Sequence, residues 1–136
     1  MDHISGEQVK GGERQLVLIA RALAQKTRIL VMDEPTASLD YGNQFRIMQK
    51  IKKLAKDGYL VVLSTHNPEH ALLYADKALV LKDGEVEVFG EPFSALTPKM
   101  IEKIYGISVE LKEVHTSRGA VPVFVPNFEN IAEKQR

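Results

Sequence analysis

The sequence predicts an α/β fold: parallel strands with flanking helices, followed by a carboxyl-terminal β-hairpin and a short α/β extension. Three observations carry that expectation. Residues 29–32 and 60–63 are short apolar runs without alternation, the pattern of strands buried on both faces of a parallel sheet. Between them, residues 42–56 have helical spacing, and a strand–helix–strand of this length implies a right-handed parallel crossover. Both runs also lead into candidate functional residues, Asp33 and Glu34 after the first and His66 after the second. Open α/β sheets bind ligands at that edge.

Residues 1–14 are polar and glycine-containing, with no usable periodicity. Gly11 and Gly12 open into a leucine- and alanine-rich helix ending near Gln25, apolar around most of its circumference and so expected to be largely buried. A glycine pair before a helix leaves N–H groups and the positive dipole end facing outward, which suits a phosphate. An ordinary loop-to-helix junction reads the same way. Pro35 stops the first strand, because it has no N–H for a ladder, and biases Glu34 towards an extended conformation.

In the helix over 42–56, Phe45, Met48, Ile51, Leu54 and Ala55 form the apolar face. Lys50, Lys52, Lys53 and Lys56 read as a solvated face, and Asp57-Gly58 ends the helix. The second strand occupies 59–64. Pro68 opens a short helix to Ala75, in which His70 is a packing or surface residue rather than a ligand. Residues 78–81 and 86–89 form a hairpin turned by Asp83-Gly84. Two short helices, broken at Thr97-Pro98, lead to Gly106. Segments 108–114 and 120–125 read as strands joined at 116–119, and a polar tail begins at Pro126. The expected division is an irregular segment at 1–14, a core at 15–106, and strands with a tail at 107–136.

Lysine plus arginine equals aspartate plus glutamate, 18 against 18, which argues against the basic stripe of a nucleic-acid partner. There is no cysteine, so disulfides and thiolate metal sites are excluded. The apolar runs fall short of the roughly 20 residues that span a bilayer. No signal-peptide core follows Met1. A soluble, cytoplasmic chain is expected, and any membrane role requires a partner.

The chemistry concentrates in I-L-V-M-D-E-P-T-A-S-L-D, residues 29–40. Adjacent carboxylates on a strand point to opposite sides, so Asp33 and Glu34 are expected to have different jobs. One can hold Mg²⁺ through water, and the other can orient a water molecule for attack on a phosphate. A solvated D-E-P turn is the bland alternative. His66, at the same edge, adds a candidate phosphate sensor.

These residues resemble the ATP-binding subunits of ABC transporters, specifically the carboxyl-terminal half of the nucleotide-binding domain, from Gly11 to about Val125. I-L-V-M-D-E-P resembles the Walker B strand, which places Asp33 at the Mg²⁺-associated position and Glu34 at the catalytic glutamate. S-L-D, from Ser38 to Asp40, resembles the D-loop. His66 matches the switch histidine that contacts the γ-phosphate. G-G-E-R-Q, with Gly11, Gly12 and Glu13, resembles the end of the signature motif. Four motifs in order are far more specific than any one of them. Y-G-N-Q, H-A-L-L-Y-A-D, K-D-G-E-V and Y-G-I are similar to importers of the iron–siderophore, haem and cobalamin type. The resemblance implies a partial P-loop NTPase fold, ATP and Mg²⁺ as cofactors, and a homodimer of ATP-binding subunits. It also implies permease subunits in the membrane, with a solute-binding protein as a further partner, and a peripheral cytoplasmic location.

The sequence departs from the family in two places. No G-x-x-x-x-G-K-[ST] stretch occurs, so the phosphate-cradling loop, its lysine and its Mg²⁺ hydroxyl are missing. The expectation is a truncated or split half that does not hydrolyse ATP alone. The signature is also altered: family spacing puts Val9 and Lys10 where leucine and serine belong, while Ser5-Gly6 belongs to another signature-like stretch upstream. Either a shifted or artificial start precedes Gly11, or Ser5 serves after a short insertion. Lys10 could attract a phosphate but could not copy a serine hydroxyl. Two other functions compete. One is a non-catalytic fragment that docks on intact subunits or a permease. The other is the head of a DNA-repair or chromosome-type ATPase, disfavoured by the absence of long heptad-patterned helices.

Overall fold

In the computed structural model, which describes residues 11–129, the elements run α1 (Gly11–Ala24), β1 (Ile29–Asp33), α2 (Tyr41–Lys56), β2 (Leu60–Ser64), α3 (Pro68–Tyr74), β3 (Ala78–Lys82), β4 (Glu85–Gly90), α4 (Pro92–Ala95), α5 (Pro98–Tyr105), β5 (Val109–Thr116) and β6 (Gly119–Pro126). The choice between Ser5 and Lys10 at the signature lies outside the described residues. So does the tail beyond Glu129. The chain divides into two compact units, with the boundary between His66 and Asn67.

In the first unit, β1 and β2 pair in parallel over five residues, from Ile29 opposite Leu60 to Asp33 opposite Ser64. The intervening α2 is held at both ends. Asp40 caps its first turn, and Asp57 with left-handed Gly58 closes its last. Its buried stripe is Ile47, Met48 and Ile51. Sequence spacing finds the last two and misses Ile47, the most deeply buried residue of the three at 1% exposed.

The expectation that both strands are buried on both faces is corrected. Leu30 is 4% exposed, but Val31, one position on, is 78% exposed. Strand alternation puts Ile29, Val31, Leu60 and Val62 on one open face, all of them more than half exposed. A continuous apolar run means that each face needs a cover, and the described residues cover only one. The expected burial of α1 fails for the same reason. Only Ile19 is buried there, while Leu16, Val17 and Leu18 remain exposed. The glycine pair also sits within the first turn of α1, not before it.

Each aliphatic side chain of the open face would gain roughly 1.5–3 kcal/mol on full burial, so an apolar face of this kind is expected to promote self-association of the isolated chain. Replacing both Val31 and Val62 with threonine should lower the aggregated fraction by light scattering. Unfolding free energy should change by no more than about 1 kcal/mol, since threonine keeps the β-branched shape at already exposed sites. Unchanged aggregation would mean that another surface is responsible.

The second unit has its own core of Leu72, Ala78, Val80, Ala95 and Leu96, with Val88, Leu111 and Phe124 packed around it. Asp83 and Gly84 both take positive φ, as a two-residue hairpin turn requires. Asn67 caps α3 and Thr97 caps α5, each through a side-chain oxygen. His70 is 3% exposed and serves packing, as expected. Burial holds its imidazole below the ordinary histidine range. At the carboxyl end, the Asn127 N–H still donates to the Ser108 carbonyl at 2.8 Å, so the first tail residue is tied to the strand pair.

Candidate active site

The parallel register decides what meets at the end of the first unit. Both strands are five residues long and start level, so Asp33 and Ser64 finish side by side on the open face. The Ser64 hydroxyl donates to Asp33 Oδ1 at 2.5 Å. One residue further, the Glu34 N–H donates to Ser64 Oγ at 2.9 Å and to the Ser64 carbonyl at 3.2 Å. Two residues beyond Ser64, His66 Nε2 lies 2.6 Å from Glu34 Oε1. The contact is a hydrogen bond with a neutral imidazole and an ion pair with a protonated one. His66 is 85% exposed and Glu34 34%, so solvent screens the charge and the contact orients more than it stabilises.

Glu34 does not take the extended conformation that Pro35 favours. Its φ is +45°, in the left-handed region that costs a non-glycine residue about 1–3 kcal/mol. The pair of hydrogen bonds to Ser64 holds it there, and two tight turns follow at once: Ala37 N–H to the Glu34 carbonyl, and Leu39 N–H to the Thr36 carbonyl. Pro35, Thr36 and Leu39 are buried and anchor this loop. β1 ends at Asp33, so Glu34 lies beyond the strand. Strand alternation therefore does not set the direction of Glu34 relative to Asp33; the left-handed backbone at Glu34 does.

The remaining candidates fall on the loop and on α1. Ser38 is exposed in the loop after β1. Asp40 acts as the N-cap of α2: Oδ1 accepts from the Asn43 N–H at 2.8 Å and Oδ2 from Asn43 Nδ2 at 3.2 Å. Asp40→Ala should therefore cost about 1 kcal/mol of stability, measurable by urea unfolding, whatever else the residue does. Asp40→Asn, which keeps an acceptor, should be near neutral. Gly11, Gly12 and Glu13 are the first described residues of α1.

Among the described residues, no three His, Cys, Asp or Glu side chains group closely enough to hold a metal ion. A single carboxylate such as Asp33 is a ligand of the type that hydrated cations take. Ser64 is the residue of the site that sequence reasoning misses. On its own it reads only as a strand end, although laying the two five-residue strands level puts it opposite Asp33.

Comparison with known proteins fits this geometry. The chain is 46% identical to an uncharacterized ABC transporter ATP-binding protein of Haemophilus influenzae, over 79% of the chain and 41% of that protein. It is 40% identical to a hemin import ATP-binding protein of Rhodococcus jostii, over 85% and 39%. A petrobactin import ATP-binding protein of Bacillus anthracis is 38% identical over 77% and 39%. The chain belongs to the ABC transporter ATP-binding family.

Among solved structures, one described as “an inward-facing conformation of a putative metal-chelate type ABC transporter” superposes with a TM-score of 0.83 at 28% identity, over 92% of this chain and 50% of that one. A dimeric ATP-binding cassette bound to ADP and Pi gives 0.56 at 40% identity, over 65% and 38%. A family model described as “AAA domain, putative AbiEii toxin, Type IV TA system” matches residues 12–70, the stretch that holds Asp33, Glu34 and His66. The fold is thus that of an ABC ATPase cassette, and the chain spans about two fifths of the length of the curated ABC relatives it matches. Among the described residues, no helix is long and apolar enough to cross a membrane.

Proposed function

We propose that these residues form the water-activating part of the ATP-hydrolysing subunit of an importer for metal chelates or cobalamin-like solutes. The observation that carries this reading is the Glu34–His66 contact of 2.6 Å beside Asp33, at the carboxyl end of a parallel strand pair. Glu34 accepts a hydrogen bond from the attacking water and holds it in line with the γ-phosphate. His66 donates to that phosphate and keeps Glu34 oriented between turnovers. Asp33 would hold Mg²⁺ through water, and the cation would supply charge neutralisation to phosphate oxygens. Ser38, Asp40 and the first turn of α1 at Gly11, Gly12 and Glu13 face the second subunit of a homodimer, where helix N–H groups meet its nucleotide. Catalysis of this kind consists of positioning and charge stabilisation. The solute assignment draws on the import proteins for hemin and petrobactin that the chain resembles. The permease partner would bring the subunit to the cytoplasmic face of the membrane, with a solute-binding protein serving the same permease.

The phosphate loop has to come from outside these 136 residues, because none of them form G-x-x-x-x-G-K-[ST]. The isolated chain is therefore expected to be inactive. Mixed with a polypeptide carrying the phosphate-loop half of a relative, it should hydrolyse ATP in the presence of Mg²⁺. A stable complex with no hydrolysis would overturn the catalytic reading. It would favour the second one, a fragment that docks on intact subunits or a permease, which the open apolar face of β1 and β2 also supports. Calorimetry adds an independent check, because tight ATP binding by the isolated chain contradicts both readings.

A further inference from the structure

We propose that Ser64 is a positioning residue: its hydroxyl sets the directions of Asp33 and Glu34 relative to each other. The inference rests on the reading of those two acids given above and adds a residue that none of the four motifs contains. Its basis is a pair of hydrogen bonds through one oxygen. Ser64 Oγ donates its only proton to Asp33 Oδ1 at 2.5 Å and accepts the Glu34 N–H at 2.9 Å. A serine hydroxyl has one donor and two acceptor sites, so it can do both at once. A carbonyl or an alanine could not.

The two bonds have different consequences. The first engages Asp33 Oδ1 and restrains the rotation of that carboxylate. The second clamps the amide of Glu34 while the residue holds φ at +45°. Strained conformations of that kind persist only where surrounding contacts over-determine them. Here the contacts are the Ser64 hydroxyl, the Ser64 carbonyl at 3.2 Å, and the Glu34–His66 contact at the other end of the side chain. Without the hydroxyl, Glu34 can relax towards the extended conformation that a residue before proline prefers. Its carboxylate then swings away from His66.

Ser64 is itself exposed, at the end of the open face, so it has little packing role to lose. That makes Ser64→Ala and Ser64→Thr a clean pair. Both should fold, and threonine keeps the hydroxyl while sending its extra methyl into open space. The first readout is amide hydrogen exchange at Glu34 in the full chain, which needs neither nucleotide nor activity. Ser64→Ala should speed that exchange by roughly fivefold, the loss of one hydrogen bond of ordinary strength, and Ser64→Thr should restore it. The second readout is the reconstituted cassette. Ser64→Ala should lower kcat by roughly tenfold or more with the KM for ATP nearly unchanged, and threonine should recover most of the loss.

Unchanged exchange at Glu34 in Ser64→Ala overturns the inference, and so does a threonine variant that behaves like alanine in both readouts. If Glu34→Gln leaves hydrolysis intact, the catalytic reading of Glu34 falls, while the exchange result still decides the role of Ser64. The two failures are therefore distinguishable.

Discussion

Glu34→Gln should lower kcat of the reconstituted cassette by about 10²–10⁴-fold while leaving the KM for ATP within about a factor of two. Glutamine keeps the length, the branching and one acceptor oxygen of glutamate, so the loop from Pro35 to Asp40 has no reason to move. What it removes is the second acceptor oxygen and the negative charge. A water bound in the ground state can still be held by the remaining oxygen, which is why binding should survive. The transition state asks more, because the attacking oxygen gains positive character as its bond to phosphorus forms, and only a carboxylate can offset that charge. An interaction needed only in the transition state appears in kcat alone. The measurement is steady-state phosphate release, compared at equal occupancy with ATP. Activity within a few-fold of the parent would take the water-orienting role away from Glu34.

The existence of the strands and of the helix between them, and the two carboxylates, were legible because local pattern marks them. Ile29–Asp33, the Asp83-Gly84 turn and the helix opening at Pro68 depend on residues next to one another in sequence. Three features were not legible, for related reasons. The exposure of Val31 depends on which elements cover the second face of the sheet, and an apolar run says only that it wants a cover. The left-handed Glu34 depends on Ser64, thirty positions away, whose hydroxyl outweighs the local preference that Pro35 imposes. The role of Asp40 as a cap was hidden by its family resemblance, although a helix starts immediately after it. For Val31 and Glu34, local sequence carries the preference of a residue, and a contact distant in sequence decides the outcome.

Ile47→Ala should be the most damaging change of the first unit, at about 2–5 kcal/mol. The side chain is 1% exposed, and its neighbours Met48 and Ile51 on the same stripe of α2 are 4% and 5% exposed. The surroundings can therefore collapse only partly into the space left behind. Against a typical total of about 5–15 kcal/mol, a loss of that size is large for any domain. It is larger in effect here, because one face of the β1–β2 sheet is open among the described residues, so the unit starts with fewer buried contacts than its apolar strands can make.

The consequence reaches the site through α2, which packs on α1 and β2 and begins at the Asp40 cap that closes the loop after Glu34. If α2 loosens, β2 loses its support and the level ends of the two strands, on which the Asp33–Ser64 pairing depends, are no longer held. Hydrogen exchange read by mass spectrometry should show lost protection in peptides covering 29–33, 41–56 and 60–64 together, because α2 packs on β2 and β2 pairs with β1. Ile47→Val, expected to cost about 0.5–1.5 kcal/mol, should preserve that protection. Local loosening of α2 alone, with β1 and β2 still protected, would mean that the strand pair stands without its helix and that the site is positioned by the sheet alone.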